Sequence, residues 1–240
     1  MQPSAGALRQ LLCALAVGAC GCSTSPPAGP SVNRPALSLE AAEAERAKLV
    51  SQAPASFKML HQVVAKYQEQ SYLMTGYMLG RRDGSFLVSA TAAMGPRLFA
   101  VAKVDGHWES HVYLKQLVER LDPTNVGRAV ERIYFLPATG SLRHESGRWV
   151  STSSIAGEEE IDTVEDWLDE ETLALRRKRF FKAGKQVLQV DYSKLELIKA
   201  SWIARDIELT DTRGFQLRLN VTEYEPGFPV TDAVLHVQSP

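Results

Sequence analysis

Residues 57–113 read FKMLHQVVAKYQEQSYLMTGYMLGRRDGSFLVSATAAMGPRLFAVAKVDGHWESHVY. This stretch decides the fold. From Phe57 to Tyr67 every second residue is apolar or ring-bearing: Phe57, Met59, His61, Val63, Ala65 and Tyr67 share one face of a strand. Ser71 to Arg81 is a second strand. Arg82-Asp83-Gly84 then supplies a turn of the Asp-Gly kind that favours hairpins. Phe86 to Ala93 is a third strand, Met94-Gly95-Pro96 a turn, and Arg97 to Val104 a fourth. Asp105-Gly106 turns the chain again into His107 to Tyr113. Hairpin signals so closely spaced mean an antiparallel meander.

Working outward, Leu39 to Gln52 is rich in helix formers, with Ser38 as its cap and Pro54 as its stop. Leu114 to Leu136 has helical spacing around a start signal at Asp122-Pro123 and apolar residues at Val126, Ala129, Val130 and Ile133. Trp149 to Ile155 is a short strand. Gly157 to Glu171 is strongly acidic and reads as a solvated loop or edge strand facing the basic run Arg176 to Arg179. Strands resume at Leu173 to Lys182 and Gln186 to Leu197, with a short one at Asp206 to Leu209 and a clear one at Phe215 to Tyr224. The fold class is therefore α+β, mainly antiparallel β. One large curled sheet has its apolar concave face covered by helices, and a loose cover leaves a hydrophobic cavity.

The N-terminus points to the cell envelope. Residues 11–19, LLCALAVGA, are uncharged and apolar, too short for a spanning helix and right for the core of a secretion signal. The run ends in Val17-Gly18-Ala19-Cys20, which resembles a bacterial lipobox, with Cys20 as the lipidated residue. The domain organisation expected is a signal peptide at 1–19, a lipidated Cys20 with a Pro/Ser-rich spacer to residue 38, and one domain over 39–240. Gly21 follows the lipid site where enteric bacteria place Asp for inner-membrane retention, which points to the outer membrane. All three cysteines, Cys13, Cys20 and Cys22, lie in this N-terminal region, so no disulfide holds the domain. Net charge is -1 with 27 basic and 28 acidic residues, and no basic stripe indicates a nucleic-acid partner.

Chemistry-bearing constellations are sparse. His107 and His111 have helical zinc spacing, but on a strand four residues span ~13 Å, too far for one ion. The acidic run lacks the ligand spacing of a calcium loop. No nucleophile elbow, phosphate loop or CxxC is present. The chain is read as a non-enzyme, with no catalytic residues, metal or cofactor.

The order of parts resembles the LolA/LolB superfamily, and the LolB lipoproteins in particular. The resemblance rests on the lipidated cysteine, the first helix, the meander, a central helix ending in the Leu136–Gly140 turn, and the closing block of Lys182-Ala183-Gly184-Lys185, Val187 to Tyr192, Ile207 to Asp211 and Phe215 to Tyr224. It implies an unclosed β-barrel lidded by helices, whose cavity takes the acyl chains of lipids or lipoproteins. It implies a monomer anchored to the outer membrane that can meet a periplasmic carrier protein. It also puts Met94, on the turn between two early strands, at the membrane-facing transfer tip. Residues at mid-strand on inferred inward faces are the candidates for the acyl-chain cavity: Leu87, Leu98, Val101, Leu188, Val190, Leu217 and Leu219. The alternative role is a structural or assembly lipoprotein that assists another envelope system through protein contacts.

Overall fold

The computed structural model describes residues 37–67, 70–92, 95–114 and 122–237. The expected signal, lipid site Cys20, spacer up to residue 36 and transfer tip Met94 lie outside the described residues. Twelve strands form one antiparallel sheet in the order β5-β4-β3-β2-β1-β12-β11-β10-β9-β8-β7-β6. The first meander is β1 (Ser56–Tyr67), β2 (Gln70–Arg81), β3 (Phe86–Ala92), β4 (Arg97–Val104) and β5 (His107–Val112). The second is β6 (Leu142–Glu145), β7 (Arg148–Ser154), β8 (Thr163–Asp169), β9 (Leu175–Lys182), β10 (Lys185–Ile198), β11 (Ser201–Asp211) and β12 (Gln216–Pro226). The halves join where β1 pairs β12, from Phe57 opposite Pro226 to Lys66 opposite Gln216. The sheet ends at β5 and β6, which do not pair, so it is an unclosed half-barrel.

This topology has a forced consequence. The chain leaves β5 at one sheet edge and must enter β6 at the other. Helix α2 (Pro123–Tyr134) and the connector Phe135–Ser141 make that passage over the concave face. The helix begins as expected, with Asp122 accepting the Thr124 N–H at 2.9 Å and proline in the first turn. It is shorter than the expected 114–136, and residues 115–121 lie outside the described residues. It lies close to the sheet at Gly127, where an added Cβ would come within 2.5 Å of the Trp108 ring and 3.0 Å of Val101.

The connector is buried at Ala138 and partly buried at Leu136 and Gly140, so its backbone groups there need partners. Lys178 donates to the Leu136 carbonyl at 2.7 Å, and Asp166 accepts the Ala138 N–H at 2.8 Å. Ser151 donates to the Gly140 carbonyl at 2.6 Å, and Ser153 accepts the Thr139 N–H at 2.6 Å. Helix α1 (Leu39–Gln52) closes over the same segment. Its Arg46 donates to the carbonyls of Ala138 and Gly140 at 2.5 and 2.8 Å, and its Glu43 accepts the Leu142 N–H at 2.6 Å. Ala42 of α1 is fully buried with Leu142, Trp149, Leu168 and Leu173. At Gly140 a Cβ would stand 2.0 Å from the Thr152 carbonyl oxygen, so only glycine fits.

Two further bonds fix α2 itself. Tyr192 donates to the Ile133 carbonyl at 2.6 Å, and His61 Nε2 meets the Tyr134 hydroxyl at 2.8 Å. Burial pushes the His61 imidazole down to about 4, against a weaker opposing bond to the Gly76 backbone, so the ring is neutral at physiological pH. Burial likewise raises the Tyr134 and Tyr192 hydroxyls, which stay protonated.

Several expectations are corrected. The acidic segment is neither loop nor edge strand throughout. Its second half is β8, an interior strand between β7 and β9. The acid-base facing is real but takes the form of a ladder, with Glu165 opposite Arg179 and Asp166 opposite Lys178. Asp166 and Lys178 are 7% and 3% exposed, so two charged residues occupy inward positions where alternation asks for apolar ones. Strand β11 runs the full length Ser201–Asp211 rather than Asp206 to Leu209. Strand β6 and the short helix α3 (Asp232–Leu235) are additions. The segment around α3 lies on the outer face, where Leu235 is buried against Leu79 and Val104.

Three outcomes are expected. Gly140→Ala should lower stability by about 3 kcal/mol, the upper end of overpacking costs, because its obstacle is backbone. Gly127→Ala, facing a ring that can shift, should cost less; urea unfolding of both variants compares them. Lys178→Met should cost about 3 kcal/mol in the same assay, because Leu136 loses its partner and Asp166 keeps a buried charge with no cation opposite. His61 gives a pH signature. Below pH 6.5 the unfolded chain takes up a proton there that the folded chain refuses until about 4, so stability falls across that window by up to about 3 kcal/mol. His61→Gln should flatten that part of the stability–pH curve.

Candidate functional site

Between the concave sheet face and α2 lies a cavity of about 790 Å³, within the range of ~300–1,000 Å³ common for small-molecule sites. Its floor comes from both meanders. The first contributes Val63, Ala65, Tyr72, Met74, Met78, Val88, Ala90 and Phe99, and the second Leu188, Leu209, Phe215, Leu217 and Leu219. Its roof is one side of α2: Val126, Ala129, Val130 and Tyr134. The largely apolar wall also carries the mutually bonded pair His61 and Tyr134 and the polar side chains of Gln70, Tyr72 and Asn125.

One end of this space is sealed. Phe135, just past α2, stacks on Phe57 and Phe86 with ring centroids 6.1 and 5.1 Å apart, and Trp108 and Tyr224 complete the group. Gly80 makes room for it, since a Cβ there would stand 2.5 Å from Phe57 and 2.9 Å from Phe135. Elsewhere the cavity is bordered, among the described residues, by charged ones: Asp122 and Arg128 at the start of α2, Arg132 one turn on, Glu160 before β8, and Asp211 and Arg213 at the β11–β12 turn.

The candidate cavity residues divide in this structure. Leu188, Leu217 and Leu219 line the cavity. Val101 faces inward but is sealed under α2, fully buried among Phe86, Met78 and Val130. Val190 is fully buried in the main core beside Tyr192, beneath the end of α2. Leu98 is buried in that core without reaching the cavity, while its neighbour Phe99 does reach it. Leu87 is corrected outright: Phe86, Val88 and Ala90 take the inward positions of β3, and Leu87 lines a smaller pocket under the C-terminal segment with Phe228 and Val234. Met94 and Cys20 lie outside the described residues.

Missing from the sequence-derived set are the α2 roof and most of the first meander's floor. Their signal was present. His61, Val63 and Ala65 share one face by alternation, and Val126, Ala129 and Val130 recur at helical intervals. What no spacing rule supplies is which inward residues are left uncovered by the helix.

Among the described residues no three His, Cys, Asp or Glu side chains gather as metal ligands, and no helix is long and apolar enough to cross a membrane. His107 and His111 stand on the edge strand β5.

No protein-family model matches the chain, and no curated protein matches it by sequence. Solved structures do match. A DUF1329 family protein from Desulfovibrio piger superposes with a TM-score of 0.58 at 12% identity, over 82% of this chain and 97% of that one. A LolA superfamily protein from Nitrosomonas europaea gives 0.54 at 12% identity, over 82% and 97%. A domain from Vibrio parahaemolyticus assigned to outer membrane lipoprotein sorting gives 0.50 at 12% identity, over 82% and 95%. At such identity the likeness is one of fold, and the fold of this chain is the LolA-like unclosed half-barrel.

Proposed function

We propose that this is a lipid-anchored envelope protein that binds acyl chains, of lipids or lipoproteins, in the half-barrel cavity. The observation that carries the reading is the cavity itself: a largely apolar space beneath α2, flanked by stacked rings and bordered elsewhere by charged residues. An acyl chain needs such a space and little else. Each methylene moved out of water contributes ~0.8 kcal/mol, so a buried run of about ten gives roughly 8 kcal/mol before the costs of association.

The anchor belongs to the same reading. A lipid on Cys20 and a spacer to residue 38 would hold the domain near the outer membrane from its periplasmic side. Met94 is the tip proposed to touch the membrane during transfer. The fold shared with a protein assigned to lipoprotein sorting favours trafficking or envelope biogenesis over chemistry. On this reading the domain performs no reaction, and its work is capture and release, with a periplasmic carrier protein as donor.

Native mass spectrometry tests this on the full chain carrying Cys20→Ser, which removes the anchor's own acyl groups. Lipid masses should accompany the wild-type cavity. Ala129→Trp, which fills the roof, should remove them while the circular dichroism spectrum stays that of the folded protein. A chain that carries no lipid and takes up none from a phospholipid extract would sink the acyl-chain reading.

A further inference from the structure

The mouth of the cavity is built differently from its wall. Arg128 and Arg132 lie one turn apart on α2, so they share a face. Both border the cavity. Arg132 is only 12% exposed. Its Nη2 reaches Glu158 at 3.0 Å and Glu160 at 3.1 Å, while its buried Nε has no partner. Arg128 makes no ion pair or hydrogen bond among the described residues. A guanidinium carries five donors in a fork that matches carboxylate and phosphate oxygens, and leaving donors unused beside a cavity is costly.

The acidic residues nearby do not use up this capacity equally. Asp122 is committed to capping α2, with its carboxylate on the Thr124 N–H. Asp211 is committed to its turn, accepting the N–H groups of Arg213 and Phe215 at 2.9 and 2.8 Å and the Arg213 side chain at 3.2 Å. Glu160 is different. It is 47% exposed and spans from Arg132 to Arg213, the second contact a long 3.8 Å. The backbone around it is fixed: Ile161 is buried in the main core, and Asp162 holds the Ala183 N–H at 2.7 Å. The Glu160 side chain can therefore leave without the loop moving.

We propose that the cavity takes an amphiphile with an anionic head, carboxylate or phosphate, whose tail lies in the apolar cup and whose head is held by Arg128 and Arg132. Glu160, with Glu158 beside it, occupies that place in the empty protein and is displaced by the guest's head. The proposal rests on the acyl-chain reading and narrows it. A neutral ester or an amide-linked acyl group gains nothing from these arginines, whereas an ionised head gains charge-assisted hydrogen bonds in a site partly shielded from water.

The test uses the full chain carrying Cys20→Ser, loaded with the neutral fluorescent probe N-phenyl-1-naphthylamine, at pH 8. Myristate, lysophosphatidic acid with a myristoyl tail, and neutral monomyristoylglycerol are compared as displacers. At least one anionic displacer should work at about tenfold lower concentration than the neutral one, the scale of a charged hydrogen bond. Which one does so identifies the head. Arg128→Gln, at a position with no ion-pair or hydrogen-bond partner among the described residues, should abolish that preference and leave monomyristoylglycerol unchanged; Arg132→Lys should weaken it. Glu160→Gln should strengthen the anionic displacers alone. Equal displacement by charged and neutral tails, or a preference that survives Arg128→Gln, overturns the proposal while leaving the acyl-chain reading standing. Failure of the neutral probe to bind at all overturns both.

Discussion

The structure depends on one stretch of backbone crossing where backbone seldom goes. Because β5 and β6 are the two free edges of the sheet, the link between them has to pass over the concave face. Helix α2 satisfies its own amides for most of the way. Leu136 to Gly140 cannot, and meets donors and acceptors from three directions: Lys178 and Asp166 on the sheet floor, Ser151 and Ser153 on β7, and Arg46 on α1. These polar residues look misplaced on an inward face until the connector is considered. They are the substitute for the water it has lost.

That same hub explains where α2 stops. Held at its C-terminal end by Tyr192 and by the connector, and at its side by Tyr134 on His61, the helix is fixed at one end of the half-barrel. There Phe135 enters the ring stack and closes the cup. Toward its N-terminal end it borders the cavity, where Arg132 pairs with Glu158 and Glu160. The cavity is thus a product of how the roof is fastened: one side of α2 packs on β4 and β5 through Gly127 and Val130, and its other side stands over the cavity.

How much of this could be read from the residues depends on how each strand is covered. Strands β1 and β12 have one dry and one wet face, and alternation placed both, with Met59, His61, Val63 and Ala65 inward as expected. Strand β8 was unreadable because its inward Asp166 serves the connector, a demand that comes from residues nearly thirty positions earlier. On β3 the alternation itself sets Phe86, Val88 and Ala90 apart from Leu87, Ser89 and Thr91, so the residues do carry the signal that puts Leu87 on the outer face. A leucine is accommodated there because the segment near Phe228 and Val234 covers it. Leu188, Leu217 and Leu219 on β10 and β12 line the cavity because α2 leaves their side of the sheet uncovered. Val101 and Val190 are equally inward, and only the position of α2 separates them from the cavity.

The seam between β1 and β12 also governs the order in which the molecule can be made. Phe57 finds its partner Pro226 only when almost the whole chain is available. A chain that emerges N-terminus first can zip β1 to β5 by short turns, then waits with β1 bare along one side until the final strand arrives. Non-local closure of that kind slows folding, and an unpaired strand is a template for wrong neighbours. The exposed apolar pair Val64 and Leu73, opposite each other on β1 and β2, adds to the hazard. The step from nascent meander to finished half-barrel is therefore where this protein has most need of a chaperone.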